Sequence, residues 1–235
     1  MKKANKIICA LDLPNLKEIC TLVRAIDYDI TFKFGMEFFY NFGIEGIKKI
    51  KKIKPGIRIF LDLKMHDIPN TVSRSIKPLI KEIKPDMFTI HIAGGKKMME
   101  ETVKAADKAS SESNIKKPLI IGVTILTSLG QNDIYDIDLR DKLEKHVINY
   151  SLLAKKSGLD GVVCSALETK KIKEICGEDF KTITPGIRIL KSANDDQNRV
   201  VTPEEAFKNG SDYIVIGRNL IFSKEPNKII NQIVS

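Results

Sequence analysis

No run of the 235 residues approaches the roughly 18 consecutive apolar positions that a membrane-spanning helix requires, so no membrane partner is expected. The opening MKKANKIICALD resembles an export signal only briefly, because Asp12 and Pro14 end its apolar run, and a cytoplasmic protein is the expectation. Cysteine is scarce and scattered. Cys9, Cys20, Cys164 and Cys176 show no C-x-x-C spacing and sit among apolar neighbours, the pattern of buried free thiols. His66 and His91 have no further ligand at metal spacing, so both are read as structural and no metal is expected. No G-x-G-x-x-G follows the first apolar run, which weighs against an open dinucleotide-binding sheet. Linkers, low-complexity tracts and repeats of 20–50 residues are also missing, so a single domain over 1–235 is expected.

What the chain does have is apolar content, lysine and a regular alternation of patterns. Hydrophobic residues make up 43%, enough for a sizeable core, and the net charge is +9. The surplus lysine is spread over many helical segments (KKIKKIK, KKSG, KKIK), without aromatic interleaving or a binding motif. Solvated helix faces, rather than a nucleic-acid surface, account for such spreading, and no nucleic-acid partner is expected. A positive field would also attract an anionic small molecule.

Eight short apolar stretches read as strands: 7–12, 30–35, the stretch from Arg58, 87–93, 118–126, 161–165, 180–188 and 213–218. Helical patterns separate them, at 16–26, 36–52, 72–83, after Gly94-Gly95, 139–156, 167–175, 203–208 and 227–234. Eight strands alternating with eight helices predict a parallel sheet closed into a (β/α)8 TIM barrel, with an open doubly wound sheet as the competitor. Chemistry in such barrels sits at the C-terminal ends of the strands.

The stretch RIFLDLKMHDIPNT, from Arg58 to Thr71, concentrates the polar candidates. Leu61 and Leu63 alternate with Phe60, Asp62 and Lys64, so the leucines face helices and the charges face the barrel interior. Unpaired interior charges would cost several kcal/mol each, so this pair is either a structural ion pair or functional. Asp67 sits where Ile68-Pro69-Asn70 opens a helix, with Thr71 one turn on, and a simple N-cap is its bland alternative. Lys33, between Phe32 and Phe34, points inward or snorkels. Asp12 is as readily a helix cap ahead of Pro14 as a functional acid. Thr127-Ser128 ends the fifth strand. The pentapeptide PGIRI occurs twice, but Arg58 enters a strand at the barrel bottom whereas Arg188 leaves one at the top. With Gly217 and Arg218 after the eighth strand, Arg188 fits the phosphate-binding corner of these barrels. The polar segment 190–201 is too long for a simple connection and reads as a closing lid, with Gln197 as its contact.

Together LDLKMHDIPNT, the Lys33 strand, VTILTS, TPGIR, DDQNR and VIGR resemble the orotidine 5'-phosphate decarboxylases in their bacterial form. The similarity runs from Asp12 to Arg218 in the expected order, without departure in the D-x-K-x-x-D-I-x-x-T motif. The resemblance implies decarboxylation of orotidine 5'-phosphate to uridine 5'-phosphate, the last step of de novo pyrimidine nucleotide biosynthesis, with no cofactor. It implies that Lys64 is the proton donor and that Lys33, Asp62, Lys64 and Asp67 form a charged network. Asp67, Ile68 and Thr71 would be substrate contacts, with Asp67 and Thr71 donated across a homodimer interface. Asp12 and Lys33 would contact the ribose and Thr127 the pyrimidine. Pro185, Arg188, Gln197, Gly217 and Arg218 would serve the phosphate and the lid. Sugar-phosphate decarboxylases and aldolases sharing D-x-K-x-x-D use magnesium held by an acid in strand two, where Lys33 would here repel a cation.

Overall fold

Each apolar run becomes one parallel strand because the segments between are amphipathic helices that must return the chain to the same end of the sheet. The computed structural model describes residues 3–189 and 200–235. The strands are β1 (Ile7–Ala10), β2 (Thr31–Gly35), β3 (Arg58–Met65), β4 (Met87–His91), β5 (Leu119–Val123), β6 (Gly161–Val163), β7 (Lys181–Thr184) and β8 (Tyr213–Ile216). They pair in chain order and close where β1 meets β8, Ile8 lying opposite both Thr31 and Val215. Around them run α1 (Leu16–Ala25), α2 (Met36–Ile53), α3 (Pro69–Ile83), α4 (Gly95–Glu112), α5 (Gln131–Asp136), α6 (Leu143–Lys156), α7 (Thr169–Cys176), α8 (Pro203–Lys208), α9 (Arg218–Ile221) and α10 (Pro226–Val234). The expected closed (β/α)8 barrel is the fold.

Strand alternation splits the apolar residues into two cores. Ile8, Ala10, Phe60, Met87, Ile121, Ile183 and Val215 fill the barrel interior. Phe32, Phe34, Leu61 and Phe88 face outward, in one cluster with Ile47 and Ile50 of α2 and Ile76 and Ile80 of α3. All four cysteines are free and buried, as expected. Burial, with Asp12 nearby, pushes the Cys9 thiol up to about 12. Among the described residues no helix is long and apolar enough to cross a membrane.

Differences from the sequence reading lie at element ends. Strands one, four, five, six, seven and eight stop two to four residues before the apolar pattern does, because their C-terminal residues leave the ladder to shape the barrel mouth. The helix expected over 139–156 is α6, which starts only at Leu143, and the polar loop before it holds an additional short helix, α5. The cap of α1 is Asn15, whose side chain accepts from the Lys17 amide at 2.9 Å, which removes capping as the role of Asp12.

At the opposite end, three aspartates lock the strand entries. Asp86, Asp160 and Asp212 precede β4, β6 and β8, and each carboxylate accepts from a backbone N–H of the preceding strand: Ile59 at 2.7 Å, Ile120 at 2.8 Å and Thr182 at 2.9 Å. Asp212 also holds the buried Lys173 ammonium at 2.6 Å, which donates further to the carbonyls of Glu178 and Phe180. Removing one partner of a buried pair strands the other charge. Asp212→Ala is therefore expected to cost about 3–5 kcal/mol in urea unfolding, and Lys173→Met in the same background should recover part of that loss.

Candidate active site

β1, β2 and β3 lie side by side, and their register brings three strand ends to one corner of the mouth. Ala10 is opposite Lys33, and Gly35 is opposite Asp62. The outcome is an alternating row of charge. Lys33 Nζ lies 3.2 Å from Asp12 Oδ1 and 3.5 Å from Asp62 Oδ2, and Lys64 Nζ lies 2.8 Å from the same Asp62 oxygen. Lys33 and Asp62 are buried, so Lys33 points inward and does not snorkel. A cavity of about 520 Å³ opens above them, lined by Asp12, Lys33, Asp62 and Lys64 on one side.

Burial alone would strip these charges, but the pairing wins. Lys33 is pushed down by burial and more than restored by Asp62 and Asp12, so its ammonium is held above its ordinary range. Asp62 is pushed up by burial and more than restored by Lys33 and Lys64, with hydrogen bonds from Lys64 and Thr89, so its carboxyl is held below its ordinary range. Both ions therefore stay charged at neutral pH. By linkage, Asp62 contributes stability above its unfolded value, and loses it as pH falls through its lower folded value.

Lys64 reaches the mouth by a local distortion. Between the Leu61–Phe88 and Met65–Ile90 pairs, Asp62, Leu63 and Lys64 all face the single residue Thr89, and Lys64 has φ 47°. Left-handed backbone at a lysine costs on the order of 1–3 kcal/mol and persists only where the surroundings enforce it. Thr89 does the enforcing. Its fully buried hydroxyl donates to Asp62 Oδ1 at 3.0 Å and accepts from the Lys64 amide at 2.8 Å, spanning the bulge. Gly35 supplies the other condition: a Cβ there would lie 2.9 Å from Lys33 Nζ and 3.1 Å from Asp12 Oδ1. Neither residue stood out in the sequence. Alternation from Met87 is the signal that could have placed Thr89 inward, whereas nothing local marked Gly35.

The far wall of the cavity carries Thr127, Pro185, Arg188, Gly217 and Arg218. Arg188 is buried, and its Nη1 donates to the Ile187 carbonyl at 3.0 Å. Its amide donates to Val201 at 3.0 Å, next to the bridge that joins Ile187 to Val201. Arg218 opens α9 directly after Gly217. Gln197 and most of the expected lid fall in 190–199, outside the described residues. Asp67, Ile68 and Thr71 stand apart from this cavity. All three are exposed, Ile68 by 65%, and Asp67 Oδ1 accepts from the Ile68 amide at 2.6 Å, while Ile68 itself is the N-cap of α3. His66 and His91 lie near each other, ring centres 5.4 Å apart. Burial, then His66 and Lys64, hold the His91 imidazole below its ordinary range. Among the described residues no three His, Cys, Asp or Glu side chains converge as metal ligands.

A (β/α)8 barrel with carboxylate and ammonium alternating on one wall of its C-terminal mouth, and two arginines on the other, has the layout of an enzyme for a small anionic substrate. The model of the orotidine 5'-phosphate decarboxylase / HUMPS family matches residues 5–233, and the chain belongs to that family. It is 44% identical over 223 residues to the orotidine 5'-phosphate decarboxylase of Wolbachia pipientis subsp. Culex pipiens, covering 94% of each chain. It is 45% identical over 232 residues to that of Listeria monocytogenes serotype 4b, covering 98% of this chain and 97% of the relative. Among solved structures, orotidine 5'-phosphate decarboxylase from Lactobacillus acidophilus superposes with a TM-score of 0.84 at 36% identity, covering 98% of this chain and 97% of that one.

Thr89→Val removes both bonds across the bulge and leaves a buried amide and a carboxylate oxygen short of a partner. A loss of about 1–3 kcal/mol in unfolding free energy is expected, and Thr89→Ser should retain most of it. Carboxyl carbon NMR across an acid titration should place Asp62 below the ordinary aspartate value, and Thr89→Val should move it upward.

Proposed function

We propose that this protein decarboxylates orotidine 5'-phosphate to uridine 5'-phosphate, the last step of de novo pyrimidine nucleotide biosynthesis. The observation that carries the reading is the row Asp12–Lys33–Asp62–Lys64, joined at 3.2, 3.5 and 2.8 Å, in a chain of this family. Arg188 and Arg218, beside Gly217 and Pro185, take the phosphate, with Gln197 closing over it. Asp12 and Lys33 hold the ribose and Thr127 the pyrimidine edge. That pose sets the substrate carboxylate against Asp62 and the carbon that bears it beside Lys64.

Loss of CO2 leaves an electron pair on a vinylic ring carbon with little resonance relief. Lys64, kept in place by the Asp62 carboxylate, stabilises that charge electrostatically and then delivers a proton from Nζ to the same carbon. Asp62 and Asp12 against Lys33 and Lys64 leave the row neutral overall, with the Lys64 ammonium set against the Asp62 carboxylate. Binding energy from the distant phosphate helps assemble the site. No step in this scheme calls on a metal or an electron-sink cofactor. The magnesium-dependent sugar-phosphate reading is disfavoured because Lys33 Nζ already engages Asp12 and Asp62 where a cation would have to sit.

Asp67, Ile68 and Thr71, exposed and turned from their own cavity, complete the site of a second subunit in this reading, which makes the working unit a two-fold homodimer in the cytoplasm. Lys64→Ala should abolish turnover of orotidine 5'-phosphate while the fold survives; near-normal kcat in the folded variant would sink the mechanism. Lys64→Ala and Asp67→Ala subunits, each nearly inactive alone, should recover about a quarter of wild-type activity after equal mixing and exchange, since half the dimers then hold one intact site. Exhaustive chelation and dialysis should leave turnover unchanged, and restoration by added magnesium would favour the sugar-phosphate branch.

A further inference from the structure

Alternation along β4 puts Met87, Thr89 and His91 on its inner side, with Met87 in the interior core and Thr89 across the bulge. His91 ends the strand opposite Val123, which lines the mouth. The β3–β4 ladder ends at Met65 and Ile90, and the next residue on each strand is a histidine. Beyond the last backbone pair the two strands therefore meet through imidazoles, their ring centres 5.4 Å apart and their planes 35° from parallel. His66 also lies over the turn Ile92–Gly94, where a Cβ on Gly94 would come within 3.3 Å of its Cδ2. Neither ring has a hydrogen bond or an ion pair among the described residues.

This contact stands at a junction. Lys64 is held by the Thr89 hydroxyl through its amide and by Asp62 through its ammonium, and Met65 is held by the ladder. Asp67 is exposed, and its carboxylate accepts from the amide of its own neighbour, Ile68. Between the ladder and Asp67 stands His66 alone, so its ring against His91 ties that length of chain to β4. The titratable and charged groups that act on His91 are His66, Lys64 and Asp62, and of these Asp62 alone favours a proton on it. A charged His91 would be a second cation beside the Lys64 ammonium. An exposed imidazole takes its proton at the ordinary value and the packed one takes it below, so falling pH favours an arrangement in which His91 has left its place.

We propose that His91 is a positioning residue for the chemistry at the mouth: its uncharged ring, set against His66, carries the order of the bulge outward to Asp67 and keeps Lys64 in place. His91 does not itself line the cavity, so it acts through Lys64 and Asp67 and not on the substrate. Protonation of His91 loosens the span, and turnover falls with it on the acid side. The effect on turnover rests on the decarboxylase reading of the mouth; the loosening does not.

The test compares His91→Phe, which keeps a ring that takes no proton, with His91→Ala, which removes the ring. At mildly alkaline pH, His91→Ala should lower kcat for orotidine 5'-phosphate on the order of ten- to a hundredfold. KM should move by less than about twofold, because the phosphate corner lies on the far wall. His91→Phe should recover most of that loss. The wild type should lose kcat as pH falls below about 6.5, the ordinary histidine value, and His91→Phe should lack that loss. The substrate phosphate ionises alike in both, so the difference belongs to the protein. Independently of turnover, amide hydrogen exchange should show the Lys64 protection factor falling over the same range in the wild type and not in His91→Phe. A wild type without turnover would remove the decarboxylase reading and leave the exchange measurement to decide. If His91→Ala does not fold, the wild type and His91→Phe decide. An acid limb shared by the wild type and His91→Phe, an unchanged kcat in folded His91→Ala, or Lys64 protection that ignores the titration of the His91 ring would each overturn the proposal.

Discussion

Asp62 is the residue on which the mouth depends. One carboxylate, buried in a barrel wall, is shared by two ammonium groups from different strands, and its second oxygen takes the Thr89 hydroxyl. Each ion alone would be expensive to bury, and a lone pair would do little better than break even. A row of four changes that balance, because each interior member has opposite charge on both sides. Lys33 lies between Asp12 and Asp62, and Asp62 between Lys33 and Lys64. The ends of the row, Asp12 and Lys64, are paired within it on one side only. The charge is therefore held rigidly in its middle and offered at its ends, which is what electrostatic preorganisation requires.

Backbone geometry makes the row possible more than side-chain choice does. Parallel register places Gly35 directly opposite Asp62, and the missing Cβ is the space through which Lys33 and Asp12 approach each other. On the other side of β3 the Thr89 hydroxyl occupies the gap left by three residues facing one. Far below, the carboxylates of Asp86, Asp160 and Asp212 secure strand entries by accepting from backbone amides. The two ends of the barrel thus use aspartate differently. At the bottom it ties down the chain, and at the top it governs the charge of lysine.

The fold was legible because period-2 runs alternated with helical ones eight times over, and Lys33, Asp62 and Lys64 were placed inward by the same alternation. The strand ends were not, since Leu11, Ile92 and Ile125 continue the apolar pattern while their backbones leave the ladder to form the mouth. Simple alternation also put Lys64 on the inner side without a distortion, whereas the chain gets there through a left-handed residue. Leu139 belongs to the outer core without being helical, which is why α6 read four residues too long. For Asp67, Ile68 and Thr71 no intrachain pattern could assign a partner, as their surroundings within one chain are solvent.

The bulge at Asp62–Lys64 sets stability and chemistry against each other in one strand. A chain shorter by two residues there would pair regularly with β4 and relieve the left-handed lysine, so regular pairing is a competing structure that drift or engineering could reach. It would also withdraw the ammonium from the mouth and shorten the span to Asp67. The spacing of D-x-K-x-x-D is, in this light, a length of chain spent on an irregularity, and loop-trimming or consensus design would be apt to erase it first.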